Sequence, residues 1–167
     1  MRGIMLKVTH TTMVVVSGLV WLIVGCVLLP LGLNFVVESI LKENLVVINR
    51  PLLDPLMKWV GGADQAVLFL IAISLWIGFI KGRFVFAKTV QNSVNRILLL
   101  PNPVSIKQIY TTKYYLLLGS MIFLGFLMKY TPMDIRGAVD IIIGSALIQG
   151  GMLYFRKAFA IRSHKVS

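Results

Sequence analysis

The chain has little with which to do covalent chemistry. Its single cysteine, Cys26, excludes an internal disulfide and any multi-cysteine metal site. Its two histidines, His10 and His164, lie near the ends, outside the long apolar runs. Only six acids are present, Glu38, Glu43, Asp54, Asp64, Asp134 and Asp140, and they form no cluster of the kind acid–base catalysis or a hard metal ion needs. No HExxH, GxSxG or P-loop pattern occurs. The expectation is a non-enzyme without metal or cofactor. A lipid-modifying enzyme with sparse motifs is the one form of catalysis these absences leave open.

What the chain does have is apolar length. Of 167 residues, 57% are hydrophobic and 14% charged, and several runs approach the ~20 residues that cross a bilayer, so we read an integral membrane protein. The length suits one domain, 1–167. The start, MRGIMLK followed by an apolar run and Ile23-Val24-Gly25-Cys26, imitates a lipoprotein signal. The chain stays apolar beyond Cys26, however, so the segment reads as an uncleaved signal anchor and Cys26 as a small buried residue.

The expected fold is all-α, with four transmembrane helices at about 12–36, 64–80, 114–128 and 137–155. Pro30 removes an amide from the first span and predicts a kink there. Two further helices are predicted. In the segment from about 50 to 60, Asn49 is placed to cap and Pro51 to start a short interfacial helix. It carries Arg50, Asp54 and Lys58 at intervals of four, sets Trp59 at headgroup level and ends at Gly61-Gly62, although Pro55 also allows a bent hairpin. From about 84 to 100 a basic amphipathic helix sets Phe86, Val90, Val94, Ile97 and Leu98 against Lys88, Gln91, Asn92, Asn95 and Arg96. It either lies on the inner membrane surface or continues the second span, and Pro101-Asn102-Pro103 stops it.

Charge orients the spans. Arg2, Lys7, Lys81, Arg83, Lys88, Arg96, Lys107, Lys113, Arg156, Lys157, Arg162 and Lys165 fall on one side, twelve in all, with no acid among them. Five cations, Lys42, Arg50, Lys58, Lys129 and Arg136, and all six acids fall on the other. The positive-inside rule then places both termini in the cytoplasm. The net charge of +11 is distributed as a membrane protein distributes it, so nucleic acid is not the expected partner. Anionic phospholipid is, with Lys81, Arg83, Lys88 and Arg96 as headgroup contacts.

Three constellations carry the functional reading. Gly18, Gly25 and Gly32 in the first span, and Gly137, Gly144 and Gly151 in the fourth, recur every seven residues. Such stripes mark close helix packing, within one chain or between copies in a homo-oligomer, or against another membrane subunit. Arg136 and Asp140 are four apart at the outer end of the fourth span, an ion pair or an ion site. Gln149 lies deeper, and with Ser74, Ser120 and Ser145 it supplies the polar groups for interhelical hydrogen bonds. The expected function is a non-enzymatic membrane component that packs with itself or a larger complex and binds anionic lipid on its cytoplasmic face. The rival is a homo-oligomeric channel or small transporter using Asp140 and Gln149.

The segments KGRFVFAKTVQNSVNRILLLPNP, KYYLLLGSMIFLGFLMKY and RGAVDIIIGSALIQGGMLYFR resemble a group of uncharacterised small bacterial four-span integral membrane proteins. The resemblance implies a bacterial cytoplasmic (inner) membrane. It brings no activity, cofactor or site residue.

Overall fold

The computed structural model describes residues 9–42, 49–99, 123 and 127–163. Among these the chain is helical, with no strand. Helix α1 is His10–Leu41, α2 is Leu53–Val60, and α3 is Ala63–Lys81. A π-helical stretch, Gly82–Phe86, leads without a break into α4, Ala87–Leu98. A short 3₁₀ turn, Met128–Tyr130, precedes α5, Met133–Ser163. Three helices are long and apolar enough to cross a membrane: α1, the continuous 63–98 helix, and α5. The span expected at 114–128 lies outside the described residues except for Phe123, Leu127 and Met128.

The long helices outrun the expected spans. Their 32, 36 and 31 residues correspond to roughly 48, 54 and 46 Å at 1.5 Å per residue, against ~30 Å of hydrocarbon. Helix α1 stays helical through Pro30 and on to Leu41. In an apolar medium a broken turn would strand several amides and carbonyls, whereas a proline forfeits one bond. Cys26 is exposed, not buried. It follows the packed Gly25 by one position, about 100° round the helix, and so leaves the seam for the apolar exterior.

Helix α5 is the centre of the bundle. Against it α1 runs antiparallel, since Gly18 meets Gly151, Gly25 meets Gly144 and Gly32 meets Gly137. Helix α3 runs parallel to α5, with Gly78 beside Ile142 and Ser145 and Gly82 beside Ala146 and Gln149. Two apolar clusters close the ends. At the Gly32 end Val36, Leu53, Ala66, Leu70, Ala138 and Ile141 pack together. At the Gly18 end Met13, Val14, Val90, Val94, Ile97, Tyr154 and Ala158 do so.

The second cluster changes the reading of the basic amphipathic helix. Its apolar face, Val90, Val94 and Ile97, is 1–4% exposed because it is buried against α1 and α5. Helix α4 therefore continues α3 as part of the bundle, which takes up most of its apolar face and leaves Leu98 exposed. The row of buried residues explains the geometry. Ala66, Leu70, Ser74, Gly78 and Gly82 recur every four residues, a line inclined to the helix axis, so the helix crosses α5 obliquely. The π stretch, with its i→i+5 pattern, shifts that line where the helix reaches the Gly18 end. Phe86 there meets the Trp21 ring edge-on, with centroids 4.9 Å apart at 78°.

Candidate functional site: the glycine seam and its ends

The six glycines form one seam within a single chain. A methyl group on Gly32 would lie 2.7 Å from the Ile141 nitrogen and 2.8 Å from the Gly137 oxygen. One on Gly25 would lie 2.8 Å from the Gly144 oxygen and 2.9 Å from the Ile148 nitrogen. Conversely, one on Gly144 would meet the Leu29 nitrogen at 2.8 Å, and one on Gly137 the Gly32 oxygen at 2.8 Å. The Gly18–Gly151 pair is slightly looser, with a methyl on Gly151 at 3.0 Å from the Gly18 oxygen. Most of these neighbours are backbone atoms, which cannot swing aside. Backbone-on-backbone approach maximises dispersion contacts where lipid offers no hydrophobic drive.

At the Gly32 end stands a residue the sequence reading passed over. The sequence marks Asp134 only as one of the six acids. In the structure it is fully buried, and its carboxylate accepts from the backbone amides of Leu52 at 2.7 Å, Leu53 at 3.3 Å and Ile135 at 2.8 Å. Asp134 thus caps α2 from another helix while sitting in the first turn of its own, so the positive ends of two helix dipoles face one anion. The cap expected from Asn49 is not used. Helix α2 begins at Leu53 rather than at about residue 50, with Leu52 in the capping position. Arg50 pairs with Asp54 at 3.4 Å. Helix α2 ends at Gly61, whose φ of 90° is the left-handed conformation that suits glycine. Trp59 is 92% exposed beside that end.

Arg136 and Asp140 are not joined by an ion pair within 4.0 Å among the described residues. The Arg136 guanidinium instead lies over the Phe35 ring, 4.2 Å from its centroid, and its Nε is buried without a hydrogen-bond partner. The aromatic face draws the guanidinium toward α1.

Gln149 sits against Gly82, on the face of α5 that meets α3. It lies nine residues after Asp140, which is about half a turn round the helix at 100° per residue, so the two occupy opposite faces of α5. They cannot line one pathway through a single chain. Ser145 donates to the carbonyls of Ile141 at 2.8 Å and Ile142 at 3.1 Å, and buried Ser74 lies in the α3 row. The expected headgroup contacts Lys81, Arg83, Lys88 and Arg96 are all exposed. Lys81 and Arg83 flank Gly82 at the level of Gln149, whereas Lys88 and Arg96 lie on α4, roughly two and four turns further toward the Gly18 end. Among the described residues no group of three His, Cys, Asp or Glu side chains is placed to hold a metal ion. Comparison with protein-family models, with curated proteins and with solved structures finds no match to this chain.

Proposed function

We propose that the chain is a non-enzymatic, four-span component of a bacterial cytoplasmic membrane, with both termini inside. In this reading it forms a self-contained packing unit, binds anionic phospholipid at its basic end, and joins a larger membrane assembly through its remaining surface. The observation that carries it is the glycine seam. Its small-residue faces, which would otherwise serve association between copies, are paired with each other inside one chain.

Chain direction supports a fourth crossing. Helices α3–α4 and α5 run parallel, so Leu99 and Met128, on either side of the stretch that joins α4 to α5, stand at opposite ends of the bundle. That stretch holds the apolar run 114–128. The charge division, twelve cations on one side against five cations and six acids on the other, supports the orientation. Exposed Trp59 suits an anchor at the opposite headgroup layer. Because α4 spends most of its apolar face on the bundle, the basic end holds lipid by charge, at ~1 kcal/mol per cation near the surface, and not by inserting an amphipathic helix.

The test is native mass spectrometry of the full chain released from nanodiscs of mixed phosphatidylglycerol and phosphatidylcholine. Monomers or heteromeric particles that retain phosphatidylglycerol, with retention falling steeply as salt rises, support the reading. A ring of identical copies, together with ion flux abolished by Asp140→Asn, overturns it in favour of a channel.

A further inference from the structure

A groove of about 470 Å³ runs between α1, α3 and α5, lined by Leu29, Leu75, Trp76, Phe79, Ile148 and, at one end, Gln149. We propose that it is a discrete binding site for one inner-leaflet anionic phospholipid, with an acyl chain in the groove and the phosphate at its Gln149 end. This deepens the lipid binding proposed above, from diffuse attraction to one site, and it rests on the orientation given there.

The groove has a polarity gradient along its axis. Its body is apolar and open to the bilayer, with Trp76 67% and Phe79 47% exposed. At its inner end stands Gln149, whose Cβ packs against Gly82 and whose amide makes no hydrogen bond among the described residues, whereas Ser145 is satisfied by its own helix. An amide left unpaired in hydrocarbon is costly, and a phosphate or ester oxygen would satisfy its N–H. Arg83 follows Phe79 by four residues and Trp76 by seven, so it continues the same helix face just past the apolar lining. It is exposed and makes no ion pair among the described residues, and its planar fork suits a phosphate. From Leu75 to Arg83 is eight residues, or ~12 Å of helix, close to the ~15 Å half-thickness of the hydrocarbon layer.

A transmembrane helix is a poorer occupant, because it brings no matching change from apolar to anionic at that depth. Self-pairing is poorer still: two copies related by an axis along the membrane normal would set Arg83 at the same depth as its copy, like charge beside like.

The experiment uses the full chain in phosphatidylglycerol nanodiscs containing a phosphatidylglycerol with a diazirine at the end of one acyl chain. After photolysis, peptides are mapped by mass spectrometry. The site requires label concentrated in 75–79 and 145–149, and its loss in Leu75→Trp, which fills the groove from an already exposed position. Arg83→Ala, which leaves the packing alone, should lower retained phosphatidylglycerol about fivefold, the equivalent of one cation near the surface, without changing retained phosphatidylcholine. Label spread evenly over the exposed face of α1, or unchanged by both variants, overturns the site. So does disulfide-linked dimer from Trp76→Cys in a Cys26→Ala background, which would give the groove to a second copy. Orientation is read separately, by labelling Lys88→Cys in the same background on intact cells. Protection from an impermeant maleimide, with no lipid retained, refutes the site alone; labelling from outside refutes the orientation as well.

Discussion

Two adjacent glycines of α5 offer a test of the seam. Gly151 belongs to it; Gly150 is also buried but faces Trp21 and Phe86. A methyl group on Gly150 would find its nearest atoms at 3.5 Å, ordinary contact distance, and these belong to aromatic side chains. On Gly25 it would meet three atoms at 2.8–2.9 Å, two of them backbone. To restore ~3.5 Å the helices would have to part by roughly 0.7 Å locally, and a gap of that size forfeits a quarter to a half of each dispersion well it opens. Overpacking of this kind costs about 1–3 kcal/mol, offset by the ~1 kcal/mol that alanine gains over glycine in a helix. We therefore expect Gly25→Ala and Gly32→Ala to lose up to about 2 kcal/mol, while Gly150→Ala is neutral or gains up to ~1 kcal/mol. Gly62→Ala, with nothing within 4 Å and an extended backbone, serves as the outside control. The assay is reversible unfolding in mixed micelles by denaturant or by steric trapping. Gly25→Ala combined with Gly144→Ala should cost less than the sum, because both push the same turns apart. Equal damage from Gly150→Ala and Gly25→Ala would refute the seam as the element that sets helix separation.

Asp134→Ala should release α2, leaving the Leu52 and Leu53 amides without their acceptor at a cost of about 1–3 kcal/mol each; hydrogen exchange of residues 52–60 should rise well before that of α5. Ile97→Ala should cost about 2–3 kcal/mol, because the residue is buried in the bundle. It should leave vesicle binding unchanged, whereas an α4 whose apolar face entered the bilayer would lose binding and keep its stability. Arg136→Lys should weaken the Gly32 end by about 1 kcal/mol through loss of the stacked planar cation over Phe35, while Arg136→Met should recover part of it by packing. Cys26, on the exterior of α1, should react with a membrane-permeant maleimide in the native protein, and full protection would show that a partner covers that face.

The periodic features were legible and the singular ones were not. Glycine every seventh residue on two segments announces a flat helix face, and reading the charge of the loops makes those segments antiparallel. Nothing in a period says whether the matching face belongs to the same chain, so the pairing Gly25 with Gly144 needed the structure. Asp134 illustrates the harder case. Its partners lie 82 and 81 residues away and are backbone amides, which carry no residue-type signal at all. Asn49 and Pro51 offered a local cap of the right chemistry, but the tertiary one displaced it. Gly82 separates the apolar second span from the basic amphipathic stretch, which the sequence left either on the membrane surface or continuing the span. It is not a boundary of the helix, because the π stretch carries the helix on without a break, and no residue pattern distinguishes those outcomes. Arg136 with Asp140 had the spacing of a helical ion pair, but the Phe35 ring on the neighbouring helix competes for the guanidinium.

The seam also has a degeneracy built into its repeat. The small residues on α1 continue in heptad register from Gly32 to Ser39, and those on α5 from Gly151 to Ala158. Sliding α5 along α1 by one heptad, ~10.5 Å, would therefore put Gly18 opposite Ala158, Gly25 opposite Gly151, Gly32 opposite Gly144 and Ser39 opposite Gly137, another unbroken row of small pairs. The glycines specify how near the two helices come but leave two stops along the track. The single alignment is chosen by groups that do not repeat: Asp134 holding the first turn of α2, Arg136 on Phe35, and Trp21 between Phe86 and Tyr154. Remove those pins and the chain keeps its close-packed pair but loses its reason to prefer one alignment over the other.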